Sequence, residues 1–186
     1  MNSLTKKVRL FLVAVALVSV SMFGLSSCTT TSINNLPSAS PELKIEEYFL
    51  GESKAYGILF DRSGVPQRNF LVDLVGTWDE KEQLLTLNED FVFDDGEKSF
   101  RQWKIKKLAN GKYSGEAADV IGTAYGESKG NAYHMNYVLD VPYKGSTIAL
   151  KIDDWMYLSE DNVLINRAEM SKFGFKVGEI LISFKK

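Results

Sequence analysis

The chain has 186 residues, 22 basic and 24 acidic side chains, a formal charge of −2, one histidine and one cysteine. That length suits one domain with a tail, and an apolar fraction of 45% supplies a core. One cysteine excludes an internal disulfide and a cysteine-rich zinc site, one histidine argues against a His-rich metal centre, and the balanced charge argues against nucleic acid as a partner.

Lys6, Lys7 and Arg9 give the N-terminus a positive start, and an uncharged apolar run follows from Leu10 to Phe23. Basic, then apolar, then small is the order of a secretory signal. The run is short for a transmembrane span, which needs about 20 residues. Leu25-Ser26-Ser27-Cys28 resembles the bacterial lipobox, in which the cysteine thiol receives a diacylglycerol and the peptide is cut before it. The only cysteine of the chain falls at this spot. The expected organisation is a signal peptide over 1–27, lipidation at Cys28, a Ser/Thr/Asn/Pro-rich flexible tether over 28–40 and a single domain over 41–186. Thr29, where inner-membrane lipoproteins commonly carry aspartate, points to the inner leaflet of the outer membrane, facing the periplasm.

From Pro41 the pattern changes. Leu43 to Leu50 is long enough for one short helical turn. Turn signals then recur at Asp61-Arg62-Ser63-Gly64, Asp79-Glu80-Lys81-Glu82, Asp94-Asp95-Gly96, Asn110-Gly111, Tyr143-Lys144-Gly145 and Ser159-Glu160-Asp161. Alternating segments lie between them. The expected fold is all-β: an antiparallel meander of about eight to ten strands closing into a lipocalin-like (calycin-type) β-barrel. A sandwich shares the same local signals.

Parity predicts which residues face inward. A three-residue Asp94-Asp95-Gly96 loop pairs Leu85 with Ile105, Leu87 with Trp103 and Glu89 with Arg101. At the next turn, a two-residue Asn110-Gly111 loop would set Glu116 beside Ile105. A three-residue loop from Ala109 sets Gly115 there, Ala117 beside Trp103 and Asp119 beside Arg101. The second register keeps small and apolar residues together and is preferred. Phe70, Val72, Leu74 and Trp78 form an inward set with Arg68 at its end. Tyr133, Met135, Tyr137 and Leu139 form another, with His134, Asn136 and Asp140 facing out. Ile148, Leu150, Ile152, Asp154 and Met156 share the inner side.

Arg101 between Glu89 and Asp119 has two readings. It is a buried structural ion cluster, or it is a polar anchor for the head of an apolar ligand in an aromatic cavity. The structural reading is favoured. Candidate ligand-binding residues are Glu89, Arg101, Trp103, Asp119, Tyr137 and Asp154. Asp153 and Asp154 point to opposite faces and cannot share a proton or a metal. His134 is expected in solvent, with no triad around it. The three tryptophans read as core. Gly122, Gly126 and Gly130 read as strand bends or bulges. No catalytic residue, metal ligand or cofactor is assigned.

Glu89-Asp90-Phe91, Asp94-Asp95-Gly96, Arg101-Gln102-Trp103, Asp119-Val120-Ile121-Gly122-Thr123-Ala124, Gly130-Asn131-Ala132, Asp153-Asp154-Trp155-Met156 and Asn166-Arg167-Ala168 together resemble an uncharacterised proteobacterial putative-lipoprotein family. It is a domain-of-unknown-function family, numbered three thousand eight hundred and thirty-three. The resemblance covers Pro41–Lys186 and is most specific from Asp153 to Gly178. It implies a lipid-anchored envelope protein of lipocalin-like size and carries no activity with it.

Three functional expectations follow. The first is a non-enzymatic binder of a small apolar or lipid-like ligand, held at the membrane by acyl chains on Cys28. The second is an enzyme on envelope lipids or fatty acids, working through Glu89, Asp119, Asp154 and Arg101. The third is a structural protein docking on another envelope protein as its partner.

Overall fold

The computed structural model describes residues 31–186. The signal expected over 1–27 and the lipidation expected at Cys28 lie outside the described residues. After a one-turn helix, α1 (Ile45–Tyr48), come ten strands among the described residues. They are β1 (Gly51–Asp61), β2 (Pro66–Asp79), β3 (Leu84–Phe93), β4 (Lys98–Lys107), β5 (Lys112–Glu116), β6 (Ala124–Lys129), β7 (Ala132–Tyr143), β8 (Ser146–Leu158), β9 (Leu164–Lys172) and β10 (Phe175–Lys185). Each pairs antiparallel with its chain neighbours, and β10 returns to β1. The sheet is a closed barrel, so no edge strand is left unpaired.

Register follows from the turns. Phe93 N donates to Glu97 O across the Asp94-Asp95-Gly96 loop, and β3–β4 pairs Leu85 with Ile105, Leu87 with Trp103 and Glu89 with Arg101. The Ala109-Asn110-Gly111 loop sets Gly115 opposite Ile105. There β5 ends, at Glu116, so Ala117 and Asp119 continue into a loop rather than a ladder. That loop is held on β7 instead: Ile121 N donates to Val138 O and Asp140 N to Asp119 O. Of the three glycines expected as bends or bulges, Gly122 lies in a bend before β6, with a φ of 76°, and the other two act otherwise. Gly130 belongs to a two-residue turn between β6 and β7, and Gly126 leaves room for the Tyr133 hydroxyl.

The two barrel ends differ. At one end α1 is a plug. Leu43, Ile45 and Phe49 are buried there, each contributing about 1.5–3 kcal/mol by removal from water. Leu43 N donates to Gly130 O at 2.8 Å, and the Tyr48 hydroxyl donates to Asn162 O at 3.1 Å. The buried Glu46 accepts from Lys107 Nζ at 2.5 Å and from the Tyr113 hydroxyl at 3.0 Å. The other end, where the β1–β2, β3–β4, β7–β8 and β9–β10 turns lie, is open. Gly57 shapes this end. A Cβ there would stand 2.0 Å from Cζ of Phe70, whose ring tip occupies the space beside the glycine. Gly57→Ala is expected to cost about 1–3 kcal/mol in thermal or urea unfolding, by pushing Phe70 off its seat.

Outside the barrel, the segment read as a free tether is docked from Ser32 onward. Ile33 is only 1% exposed and packs with Trp155 and Ala132. This contact also explains His134. It faces outward as expected, but it is buried rather than solvated. Its ring stacks on Trp155 at 3.9 Å, and its Nε2 lies 2.5 Å from Asp153 Oδ1.

Candidate functional site

The inward-facing strand positions meet in two connected spaces. The deep one, beneath the barrel centre and against the plug, has a volume of about 90 Å³. Ile45, Phe49, Trp103, Tyr133 and Met135 line it. The outer one, at the open end, has a volume of about 750 Å³. Its apolar wall is Leu59, Phe70, Phe91, Phe93, Val141 and Ile180. Arg101 belongs to both spaces and forms the floor of the outer one.

Five of the six candidate residues, Glu89, Arg101, Trp103, Tyr137 and Asp154, line the deep space, and Arg101 and Asp119 line the outer one. Strand pairing brings Arg101 opposite Glu89, and Arg101 Nε donates to Glu89 Oε2 at 2.7 Å. Asp119 reaches the guanidinium from its loop, with Oδ2 3.5 Å from Nη1. The Arg101 side chain remains 21% exposed. The guanidinium carbon sits 5.3 Å from the Phe91 ring centre and 5.5 Å from that of Trp103. Trp103 meets Tyr137 edge to face at 5.3 Å. The Tyr137 hydroxyl donates to Asp154 Oδ2 at 3.2 Å, and Asn166 Nδ2 donates to Asp154 Oδ1 and to Trp155 O.

The charges differ in their settings. Burial works against the Arg101 charge, but Glu89 and Asp119 outweigh it and hold the guanidinium above its usual range. Burial pushes the Asp154 carboxyl up to about 7, against opposing contributions from Asn166, Tyr137 and Arg101. Burial thus favours the neutral Asp154 carboxyl, while the hydrogen bonds donated by Asn166 and Tyr137 favour its ionised form. Two polar atoms near the outer space are buried without a partner among the described residues: Asp119 Oδ1 and Arg68 Nε. Arg68 caps the rim. Its Nη2 binds Asp95 at 2.6 Å and Glu97 at 2.7 Å, and its guanidinium carbon lies 3.7 Å over Phe93.

Three site features escape the sequence reading. Phe91 and Phe93 continue the inward parity of Leu85, Leu87 and Glu89, and could have been found from it. Asn166 sits at an inward position between Leu164 and Ala168, so parity alone flags a buried amide there. The plug by α1 carries no comparable local signal. Trp103 and Trp78 are interior, as expected, whereas Trp155 is buried on the outer wall under Ile33. Among the described residues, no group of three or more His, Cys, Asp or Glu side chains is placed to hold a metal ion.

Comparison with known proteins gives three findings. The model of a family described as "Protein of unknown function (DUF3833)" matches residues 22–186. No curated protein matches the chain. Among solved structures, the barrel is similar to the S-type phycobiliprotein lyase CPES from Guillardia theta. The likeness has a TM-score of 0.52 at 8% identity and covers 75% of this chain and 87% of that one. At that identity the likeness speaks for a shared lipocalin-like fold.

Proposed function

The chain belongs to the DUF3833 family, and we propose that it is a lipid-anchored envelope lipoprotein whose barrel holds a small apolar or lipid-like ligand. The outer cavity carries this reading. At about 750 Å³ it falls in the range of pockets that take small molecules, roughly 300–1,000 Å³. One part of its wall is aromatic and aliphatic, Arg101 and Asp119 lie at its floor, and Glu97, Gln102, Lys104 and Asp140 add polar lining. An apolar body would lie among Phe70, Phe91 and Phe93, and a polar head would meet Arg101 and Asp119. The lipobox supports acylation at Cys28 after removal of 1–27, which anchors the domain through several chains at about 0.8 kcal/mol per buried methylene. Thr29 supports the periplasmic side of the outer membrane.

Native mass spectrometry on protein taken gently from its own envelope tests both parts. The expected spectrum shows a bound small molecule released on denaturation, and a denatured chain that begins at Cys28 with acyl mass on it. A bare barrel that also ignores apolar dyes overturns the ligand; an unmodified Cys28 overturns the anchor.

A second reading, an enzyme acting on envelope lipid, draws on the Asp154 carboxyl raised to about 7, a value suited to a general acid or base. Its access is poorer. Asp154 lines only the deep space of about 90 Å³, and Arg101 stands between it and the mouth.

A further inference from the structure

The turns at the plugged end are ordinary: Glu80-Lys81-Glu82-Gln83, Asn110-Gly111, Gly130-Asn131 and Glu160-Asp161-Asn162. These are the polar and small residues that turns prefer. Two neighbouring turns at the open end break that rule. The β7–β8 turn carries Tyr143-Lys144-Gly145, and the β9–β10 turn carries Lys172-Phe173-Gly174-Phe175-Lys176. Phe173 is 88% exposed, Phe175 76% and Tyr143 53%. Phe173 also has a φ of 51° and Gly174 one of 83°. A two-residue turn with both φ values positive favours Asn-Gly, and a bulky ring at its first position works against the backbone. The fold gains no buried contact in exchange, because Phe173 packs in no core cluster. A residue that is unfavourable locally and idle in the core points to something outside the chain.

The chemistry around these rings narrows what that is. No acidic residue occurs from Val141 to Ile152 or from Met170 to Gly178, while Lys144, Lys151, Lys172 and Lys176 do. Lys176 is paired with Glu179 and Glu169, and Lys172 Nζ donates to Ala149 O. Lys144 Nζ lies 5.1 Å from the Tyr143 ring centre, and Lys172 Nζ lies 5.0 Å from that of Phe173. Rings at projecting tips with ammonium groups beside them match a membrane interface, where aromatics sit at head-group depth and lysines meet anionic lipid. Val65 and Ile121, on other turns of the same end, are exposed as well. The acidic Asp94-Asp95-Gly96-Glu97 turn stands across the mouth, tied back by Arg68 and Asn69. The basic and aromatic side is therefore the side that would touch.

We propose that this rim seats the open end of the barrel on an anionic lipid bilayer, with Phe173, Phe175 and Tyr143 entering the interface and Lys144 and Lys172 meeting the head groups. The outer cavity opens at the same end, so an apolar molecule could pass between bilayer and barrel with little exposure to water. The described chain reaches the barrel on the other side of the site, where Ile33 packs beside Ala132 at the start of β7. It leaves the rim uncovered. The proposal rests on the contrast between the two barrel ends and not on an occupied cavity.

The test places a reporter at each end of the barrel in the mature chain from residue 28, carrying Cys28→Ser so that neither signal nor acyl chain reaches the bilayer. Phe173→Trp reports the rim, and Lys81→Trp reports the plugged end. Both are mixed, without added ligand, with brominated phosphatidylcholine vesicles with and without phosphatidylglycerol. The expected result is strong quenching and a blue shift at position 173 on anionic vesicles only, with no change at 81. Adding Phe175→Ser should weaken the apparent affinity by about tenfold, and added salt should weaken it further. Equal quenching at both positions, or none at 173, overturns the proposal. A blue shift at 173 that grows with protein concentration and needs no lipid also overturns it, in favour of a contact between copies of the chain. None of these outcomes depends on whether the cavity is filled, so failure here leaves the ligand reading standing.

Discussion

Raising the pH from about 4 to about 7 is expected to destabilise the folded protein by about 4 kcal/mol, and Asp154→Asn is expected to abolish most of that slope. Burial raises the Asp154 carboxyl from 3.8 to about 7. Between those values the folded state keeps a proton that the unfolded chain has released. Each unit of rising pH then favours the unfolded chain by about 1.4 kcal/mol, until the folded carboxyl also ionises. Below this window the sign reverses. Arg167 and Lys176 hold Glu179 down to about 2, so its contribution is complete above its ordinary value and is lost in acid. Stability should therefore peak near the lower edge of the Asp154 window. Asparagine preserves the shape, accepts from Asn166 and donates to the Tyr137 oxygen, yet cannot ionise. Urea unfolding of both proteins across this pH range checks the slope. An equal slope in the variant would mean that the titrating group lies elsewhere. The same series bears on the enzymatic reading, since an Asp154 that serves only structure should leave function intact as asparagine.

What was legible from sequence, and what was not, divides by range. The β3–β4 and β4–β5 registers were legible because each turn is local and strand parity carries its consequence eight residues away. That is how Glu89 and Arg101 could be grouped from sequence; Asp119 joins them from the loop beyond β5 and not through the ladder the parity assumed. The inward row from Ile148 to Met156 was legible for the same reason. Burial of His134 was not. On its own strand it alternates like a solvated residue, and it is covered by Trp155 from β8 and, beyond that, by Ile33 from a segment that reads as linker. The plug was not legible either. Four residues are too few for a helical period, and the apolar side of α1 has meaning only once a barrel end exists to receive it. Closure itself and the size of the mouth depend on all ten strands together, which is why barrel and sandwich look alike in local pattern. Asp154 is an intermediate case. Its inward direction follows from parity, but its raised carboxyl follows from the depth of burial that only the closed barrel supplies.

Arg101→Met is expected to destabilise the protein by about 3–5 kcal/mol, whereas Glu89→Leu combined with Arg101→Met should recover most of the loss. The asymmetry comes from the floor geometry. Glu89 is 7% exposed, and its charge is balanced by one hydrogen-bonded guanidinium at 2.7 Å. Removing the arginine alone strands that carboxylate in an apolar barrel. Removing both leaves neutral side chains beside Leu87, Trp103 and Phe91, where methionine and leucine pack. Chemical denaturation measures the two costs, and near-additive losses would mean that the pair is not coupled. The double variant then separates the two readings of Arg101. If the cluster only holds the barrel together, the rescued protein keeps whatever molecule the wild type carries out of the envelope. If Arg101 is the polar anchor, the rescued barrel is stable but releases that molecule, or holds only its apolar part more weakly. The favoured structural reading predicts retention. The about 750 Å³ mouth, the guanidinium left partly exposed in it and the unpartnered Asp119 Oδ1 beside it all argue for release. A cluster that served packing alone would have no need to keep hydrogen-bonding groups at the foot of an open aromatic funnel.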